Sequence, residues 1–552
     1  MNRKVSSNQF SRISWISLGI GGVFILLITL PYIYAYTKAG PNYVFEGFLV
    51  NPIDGNSYLA KIYQGWEGNW RFTLPYTSNA GEGAYINLFY LFLGHLSRIL
   101  SFSPILTYHL ARIATSIIML IAINYFFIAL KLHNELRSLA LGLAAFGSGL
   151  GWVGLFSGLT TSDFWVSETY PFLSAFTNPH FPLGMALLLW IVTPSKQEVN
   201  TEISIPLSFL ERGKVSWGIG LASLILAVIS PFGVIITLTI MMGMILWNTG
   251  VLSGQGGLVS YVNHLWKSLP IPNNEYQVIT RDLKKVFWVS ISSGPVLIYY
   301  MWVTRSNPQL AGWNQQNLTP SPPVWDLALS LSPAILFALG GIWYTGVKGE
   351  GSKRLLVVWL VLTLVLLYIP FGLQRRFMLG LYIPVVGLAM IGLWQVASGK
   401  PNKLRFLGAL LFLLSLPTNF LLLAISTQGI SSHSDWLYLT KEENAAMEWI
   451  VKSTPQDSVV LASPSTGLFI PARTGRGVIY GHPFETVNAE ENQAAVIRFF
   501  QGNPRPEDEK IMSSVNYVFL GPRERALGDH ISLTGLDKVY SNPYVTIYQV
   551  IR

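Results

Sequence analysis

The stretch NPIDGNSYLAKIYQGWEGNW, Asn51 to Trp70, follows directly on the first strongly apolar segment of the chain. It joins a carboxylate near its start, Asp54, to amides, glycines, and tyrosine and tryptophan rings. It is too polar to cross a bilayer and too aromatic to be a plain linker. Such a segment belongs at the headgroup level, where amphipathic rings meet water. The fold therefore turns on whether the rest of the chain supplies a bilayer for it to lie on.

Composition says that it does. Of 552 residues, 51% are hydrophobic and only 12% are charged, against roughly 25% charge in a soluble protein. The 18 Trp and 25 Tyr are the ring types that gather at membrane interfaces. Cysteine is absent, which excludes a disulfide framework, a thiol nucleophile and a thiolate metal site.

A helix crosses the hydrocarbon core with about 20 apolar residues. That measure predicts about eleven spans, near residues 13–36, 106–130, 138–157, 179–194, 216–231, 232–248, 286–303, 326–346, 354–372, 377–397 and 404–425. The fifth and sixth are one run broken at Pro231. The first run is longer than a signal-peptide core and no small-x-small cleavage site follows it, so it reads as a retained span. The segment from Tyr85 to Leu100 is apolar but short and carries His95 and Arg98. It reads as an interfacial or re-entrant helix.

Lys and Arg favour cytoplasmic loops. With the N-terminus inside, the inner loops carry Arg3, Lys4 and Arg12; Lys131 and Arg137; Lys196, Arg212 and Lys214; Lys267, Arg281, Lys284 and Lys285; Lys348, Lys353 and Arg354; and Lys400, Lys403 and Arg405. The outer loops hold fewer. The net charge of +9 is thus mostly topology, and nucleic acid is not needed to explain it. An α-helical polytopic membrane protein is expected: a multi-span domain over 1–425 with a long first outer loop at 37–105, then a small extracytoplasmic α/β domain over 426–552. In that last part, TKEENAAMEWIVKSTP opens with a capping box from Thr440 to Glu443. SVVLAS, GVIYG and NYVFLG read as strands, EENQAAVIRFF as a helix, and DKVYSNPYVTIYQV as a terminal hairpin.

The outer loops concentrate the unusual polar residues. Asp54 can be a cap of an interfacial helix beginning near Ser57, with Tyr58, Ile62 and Trp66 on its apolar face. It can also be a general base at the mouth of a membrane cavity. The second outer loop offers Asp163, Glu168, Asn178 and His180, too loosely spaced for a metal motif by themselves. A divalent metal ion between Asp54 and one of these acids is compatible with the residues, and nothing demands it. Arg375 and Arg376 lie at the outer end of two spans, against the inside bias. They either snorkel to headgroups or clamp a phosphate, for which the guanidinium fork is well shaped. Arg112 lies within the apolar run LARIATSIIML, and an intramembrane cation is a functional candidate by default. Asn314 and the amides beside it, next to Trp313, suit sugar hydroxyls or form a solvated turn. His482 and Glu485 in GHPFET either bind substrate or metal, or cap the next helix and pack the domain.

In this order of parts the chain resembles the GT-C superfamily of polytopic glycosyltransferases, which includes protein O-mannosyltransferases, oligosaccharyltransferases and aminoarabinose lipid A transferases. The most specific points are Asp54 in NPIDGNSY, the LFYLFLGHLSRIL helix and the span bearing Arg112. The resemblance implies that Asp54 corresponds to the loop acid acting as catalytic base. It also implies a donor sugar on a polyprenyl phosphate, inverting hexosyl or pentosyl transfer to a glycan, lipid or protein acceptor, and a multi-pass place in a prokaryotic cytoplasmic (inner) membrane. The chain lacks the Asp-Glu pair of the mannosyltransferases, and the acidic-x-acidic and WWD-type motifs of the oligosaccharyltransferases. A lipid-linked saccharide transporter or flippase, which should show a repeat, and a non-catalytic scaffold are the alternative classes.

Overall fold

The computed structural model describes residues 14–194, 215–248, 274–348, 351–528, 532 and 534–551. Arg3, Lys4, Arg12, Lys196, Arg212, Lys214 and Lys267 of the charge alternation lie outside the described residues. Two compact units are formed. One comprises Met1–Ile28, Ile113–Ile298 and Thr319–Leu422, the other Thr29–Arg112, Tyr299–Leu318 and Leu423–Arg552.

Along the first part of the chain run α1 (Trp15–Lys38), β1 (Tyr43–Phe45), α2 (Pro52–Trp66), α3 (Leu88–Leu100) and α4 (Pro104–Ala129). Among the described residues, five helices are long and apolar enough to cross a membrane: α1, α4, Pro231–Asn248, Thr280–Ser306 and Pro401–Ser431. The number rises to seven if each of two bent helix pairs is one span. Helix length alone therefore does not yield the expected eleven spans. His180–Val192, Trp217–Ile229 and Tyr382–Ala397 are shorter apolar helices.

The expected span at 326–346 is broken into Val324–Ser330 and Ala334–Gly346, bent by 96°. Pro333 at the break has no N–H to continue the ladder. The run 138–157 is likewise bent by 43° between Phe146 and Gly151. The break expected at Pro231 is present: one helix ends at Ile229 and the next starts at Pro231. The first unit is cored by the fully buried Trp359, packed edge-on to Phe126 at 6.0 Å. Gly341 and Gly392 let two of its helices cross at backbone distance. A Cβ on Gly392 would lie 1.9 Å from the Phe337 carbonyl oxygen.

In the second unit the first outer segment and the C-terminal residues share one core. β1 pairs antiparallel with β2 (Tyr438–Thr440), Tyr43 opposite Thr440. A capping box at Thr440 and Glu443 starts α5 (Lys441–Ser453), as the sequence predicts. A five-stranded sheet follows, built from β3 (Val459–Leu461), β4 (Gly477–Val478), β5 (Tyr517–Leu520), β6 (Leu536–Ser541) and β7 (Thr546–Val550), in the order β4-β3-β5-β7-β6. β3 is parallel to both its neighbours, and β6 and β7 are the expected terminal hairpin. Between β3 and β4 lies α6 (Pro464–Thr474), and before β5 lies α7 (Ala489–Phe500). α6 packs closely on α2, and Phe48, Leu59, Ile62, Leu468, Phe469 and Ile470 belong to one buried cluster.

Candidate functional site

α2 starts earlier than the Asp54 reading assumes. Pro52 occupies the first helical position, where a missing N–H costs nothing. Asn51 caps the helix from a left-handed conformation, φ 49° and ψ 58°. Asparagine reaches that region more readily than most side chains. The helix thus begins at Pro52 rather than near Ser57, and Asp54 is a first-turn residue, not its cap. A carboxylate there is favoured by the helix dipole. Asn51 grips Asp54 twice: its Nδ2 donates to Oδ2 of Asp54 at 2.6 Å, and its Oδ1 accepts from the Asp54 N–H at 3.4 Å.

α2 is held by close approach to α3. A Cβ on Gly65 would lie 2.1 Å from the Leu91 carbonyl oxygen, and one on Gly94 would lie 2.1 Å from that of Ile62. Above this crossing Tyr58 stacks on Tyr90, ring centres 4.6 Å apart.

The turn Gly481–Thr486 comes up against the same helix. Its own hydrogen bonds shape it. The Phe484 and Glu485 N–H groups both donate to Nδ1 of His482 at 3.1 Å, and the His482 N–H donates to Oγ1 of Thr486 at 3.3 Å. A Cβ on Gly481 would lie 2.3 Å from the Gly467 carbonyl oxygen, so the turn rests directly on α6. Of the alternatives open for His482 and Glu485, helix capping is not what they do: Asn488 is the N-cap of α7. Instead, Nε2 of His482 lies 3.5 Å from Oδ1 of Asp54. Glu485 reaches into α2, where its Oε1 accepts from Oγ of Ser57 at 2.6 Å and from Nζ of Lys61 at 2.5 Å. Lys61 also donates to Ser57 at 2.6 Å and lies over the rings of Tyr58 and Phe72.

Burial by itself would disfavour the Glu485 carboxylate. Lys61, His482 and the Lys61 and Ser57 hydrogen bonds outweigh it and hold the carboxyl below its ordinary range. Tyr76 donates to the Leu468 carbonyl at 3.1 Å, and its ring centre is 5.5 Å from that of His482. Burial, then the charges of Glu485 and Asp54, push the Tyr76 phenol up. Asp54 itself keeps 44% of its side chain exposed, while the Glu485 side chain keeps 10%.

Asn51, Ser57, Lys61 and Tyr76 were not singled out by sequence. One signal was available. Ser57 and Lys61 are one turn apart on an interfacial helix, and a lysine turned inward there needs a buried acid.

Arg112, also in this unit, is fully buried with its guanidinium 4.3 Å from the Tyr32 ring centre, and its Nε donates to Nδ1 of His109 at 3.4 Å. Asn314 is exposed on the helix Pro308–Gln316. Its neighbour Gln316 takes up the turn after Glu485 by donating to the Thr486 carbonyl and accepting from the Asn488 N–H at 3.2 Å.

In the other unit the structure joins two predicted residues far apart in sequence. Arg375 contacts Glu168 through Nε at 3.3 Å and lies 4.8 Å from the Trp165 ring centre. Arg376 is half-buried and forms no ion pair among the described residues. Asp163 is enclosed in hydrogen bonds: it accepts from the Gly149 and Gly151 N–H groups at 3.1 Å each, from Ser148 at 3.4 Å, from Thr161 at 2.5 Å and from the distant Thr418 at 2.9 Å. Even so, burial pushes its carboxyl up. His180 opens its helix, buried and in ring contact with Phe181. Among the described residues no group of three or more His, Asp or Glu is arranged to hold a metal ion.

No protein-family model matches the sequence, and no curated protein matches it. Solved structures do. The crystal structure of the Archaeoglobus fulgidus oligosaccharyltransferase in complex with zinc and sulfate superposes with a TM-score of 0.55 at 12% identity, covering 97% of this chain and 73% of that one. The archaeal oligosaccharyltransferase AglB of the same organism, in complex with an inhibitory peptide and a dolichol-phosphate, superposes at 0.53 and 12% identity, over 98% and 75% of the two chains. The chain thus shares its fold with these oligosaccharyltransferase structures, its helical part and small C-terminal sheet following each other in the order the sequence predicts.

Proposed function

We propose that this chain transfers a sugar from a polyprenyl-phosphate carrier to an acceptor at the outer face of a prokaryotic cytoplasmic membrane, with Asp54 as general base. The observation that carries this reading is the state of the Asp54 carboxylate. It is solvent-reachable, gripped at one oxygen by Asn51, and set in the first turn of the helix that follows the first apolar span. The shared fold supports it: the archaeal neighbour was solved with a dolichol-phosphate and a peptide.

In the reaction, the acceptor oxygen forms a bond to the anomeric carbon. The bond from that carbon to the carrier phosphate breaks, its electron pair leaving with the phosphate, and Asp54 takes the acceptor proton. Guanidinium groups stabilise charge as it develops on a leaving phosphate. The reading gives that role to Arg112, Arg375 and Arg376. It places the C-terminal domain on the outer side, as the charge alternation of the loops suggests.

The test is the substitution Asp54→Asn, which keeps shape and removes basicity. Purified in detergent and assayed with radiolabelled lipid-linked sugars extracted from the source membrane, the variant loses transfer by about two orders of magnitude or more. Full activity in D54N ends the assignment. A deletion strain accumulates the lipid-linked sugar and lacks the corresponding envelope glycan by mass spectrometry.

A further inference from the structure

We infer that His482 is a positioning residue: through its Nε2–H it holds the Asp54 carboxylate in the orientation that accepts a proton. The C-terminal part of the chain thereby completes the site. The inference rests on the function proposed above.

Two backbone amides define the state of the ring. The Phe484 and Glu485 N–H groups both point at Nδ1, which must offer its lone pair to them. The ring proton therefore belongs on Nε2, an assignment made from the hydrogen-bond network. Nε2 is buried, forms no hydrogen bond among the described residues, and faces Oδ1 of Asp54 at 3.5 Å. That distance is longer than a formed hydrogen bond. Contacts between catalytic partners commonly tighten when substrate arrives.

The two oxygens of Asp54 are thus approached from two directions. Asn51, three residues earlier, takes Oδ2, and His482 faces Oδ1. The ring cannot swing away cheaply. Gly481 is in backbone contact with Gly467, and Glu485, three residues on, is anchored to Ser57 and Lys61. The charged or titratable groups around the pair are Glu485, Lys61, Tyr76, Tyr90 and Tyr108.

A merely structural histidine would serve only its own turn through Nδ1. Two substitutions separate the roles. His482→Asn keeps a side-chain acceptor for the two amides and loses the donor to Asp54. His482→Gln carries an amide donor near the Nε2 position and loses the acceptor.

The readout needs no substrate. A water-soluble carbodiimide with glycine ethyl ester converts a protonated carboxyl to an amide, the carbodiimide leaving as its urea. Peptide mass spectrometry of the full-length protein in detergent gives the pH of half-maximal labelling at Asp54. A donor hydrogen bond favours the carboxylate, so H482N raises that midpoint by about one pH unit and H482Q returns it toward wild type. H482N also lowers kcat about tenfold with KM unchanged, and it adds nothing in a D54N background.

An unchanged midpoint in folded H482N overturns the inference, and so does a shift in H482Q equal to that in H482N. If H482N does not fold, His482→Ala provides the same donor deletion, judged by the same midpoint. Full activity of D54N would remove the general-base role while leaving the labelling result intact, so the two failures are distinguishable.

Discussion

Lys61 and Glu485 form a buried ion pair at 2.5 Å that joins the helix after the first apolar span to a turn near the C-terminus. Their side chains are 5% and 10% exposed. The pair sets the distance between that helix and that turn, and with it the distance between Asp54 and His482. Removing one partner leaves a desolvated charge behind. Lys61→Met is therefore expected to lower stability by about 3–5 kcal/mol. The double variant K61M/E485L should recover most of that loss. Thermal unfolding of the full chain in detergent checks both.

The same pair has a pH signature. The Glu485 carboxyl is held below its ordinary range, so its contribution is fully present above the unfolded-state value of about 4.3 and is lost as pH falls through the lower folded value. Burial pushes the Glu46 carboxyl up despite the nearby Arg473, and it acts in the opposite sense, gaining stability as pH falls. Wild type is therefore compared with Glu485→Gln in the same buffers. Their difference in Tm is expected to be constant above about pH 5 and to shrink below about pH 4.

Gly65 and Gly94 are expected to admit no side chain, since each Cβ would meet a backbone carbonyl oxygen of the facing helix at 2.1 Å. Gly65→Ala forces the helices apart and costs about 3 kcal/mol or more, with transfer activity lost as Asp54 moves. Gly142→Ala is the control. Its nearest contact is an ordinary 3.5 Å to the Phe412 ring, and alanine in a helix gains about 0.5–1 kcal/mol. Folded yield by size-exclusion chromatography separates the two.

Asp163, a sequence candidate for substrate contact, has its carboxylate enclosed by hydrogen-bond donors. With five donors directed at it, Asp163→Asn points an amide N–H at groups that donate. The expected loss is about 2–4 kcal/mol of stability. The folded fraction should keep its specific activity, measured against D54N in the same preparation.

Thr440 both caps α5 and sits in the β1–β2 pair, where its Oγ1 accepts from the Glu443 N–H at 3.2 Å. Thr440→Ala should cost about 1 kcal/mol, seen as a modest fall in Tm with activity retained.

These residues also show where sequence reading reaches. The capping box at Thr440, the break at Pro231, the α3 segment too short to span and the terminal hairpin are set by contacts within a few residues, or by apolar length. Both are written in local pattern. Asp54 could be singled out as the acid that opens an aromatic interfacial segment directly after the first span. The start of its helix could not be placed, because Asn51 enters through a left-handed conformation that side chains seldom adopt. The 96° bend before Ala334 was missed because hydropathy does not register a change in direction.

What sequence alone determined was the kind of solvent, the order of parts and the acid after the first span. What tertiary structure decided was the company each candidate keeps: His482 beside Asp54, Glu485 on Lys61, Glu168 on Arg375, and Thr418 on Asp163. The physical reason is range. Helical and strand periodicity is fixed by neighbours two to four residues apart. These pairings follow from where backbones can touch, at Gly65 on Leu91 or Gly481 on Gly467, and no local pattern records which distant segment will arrive there.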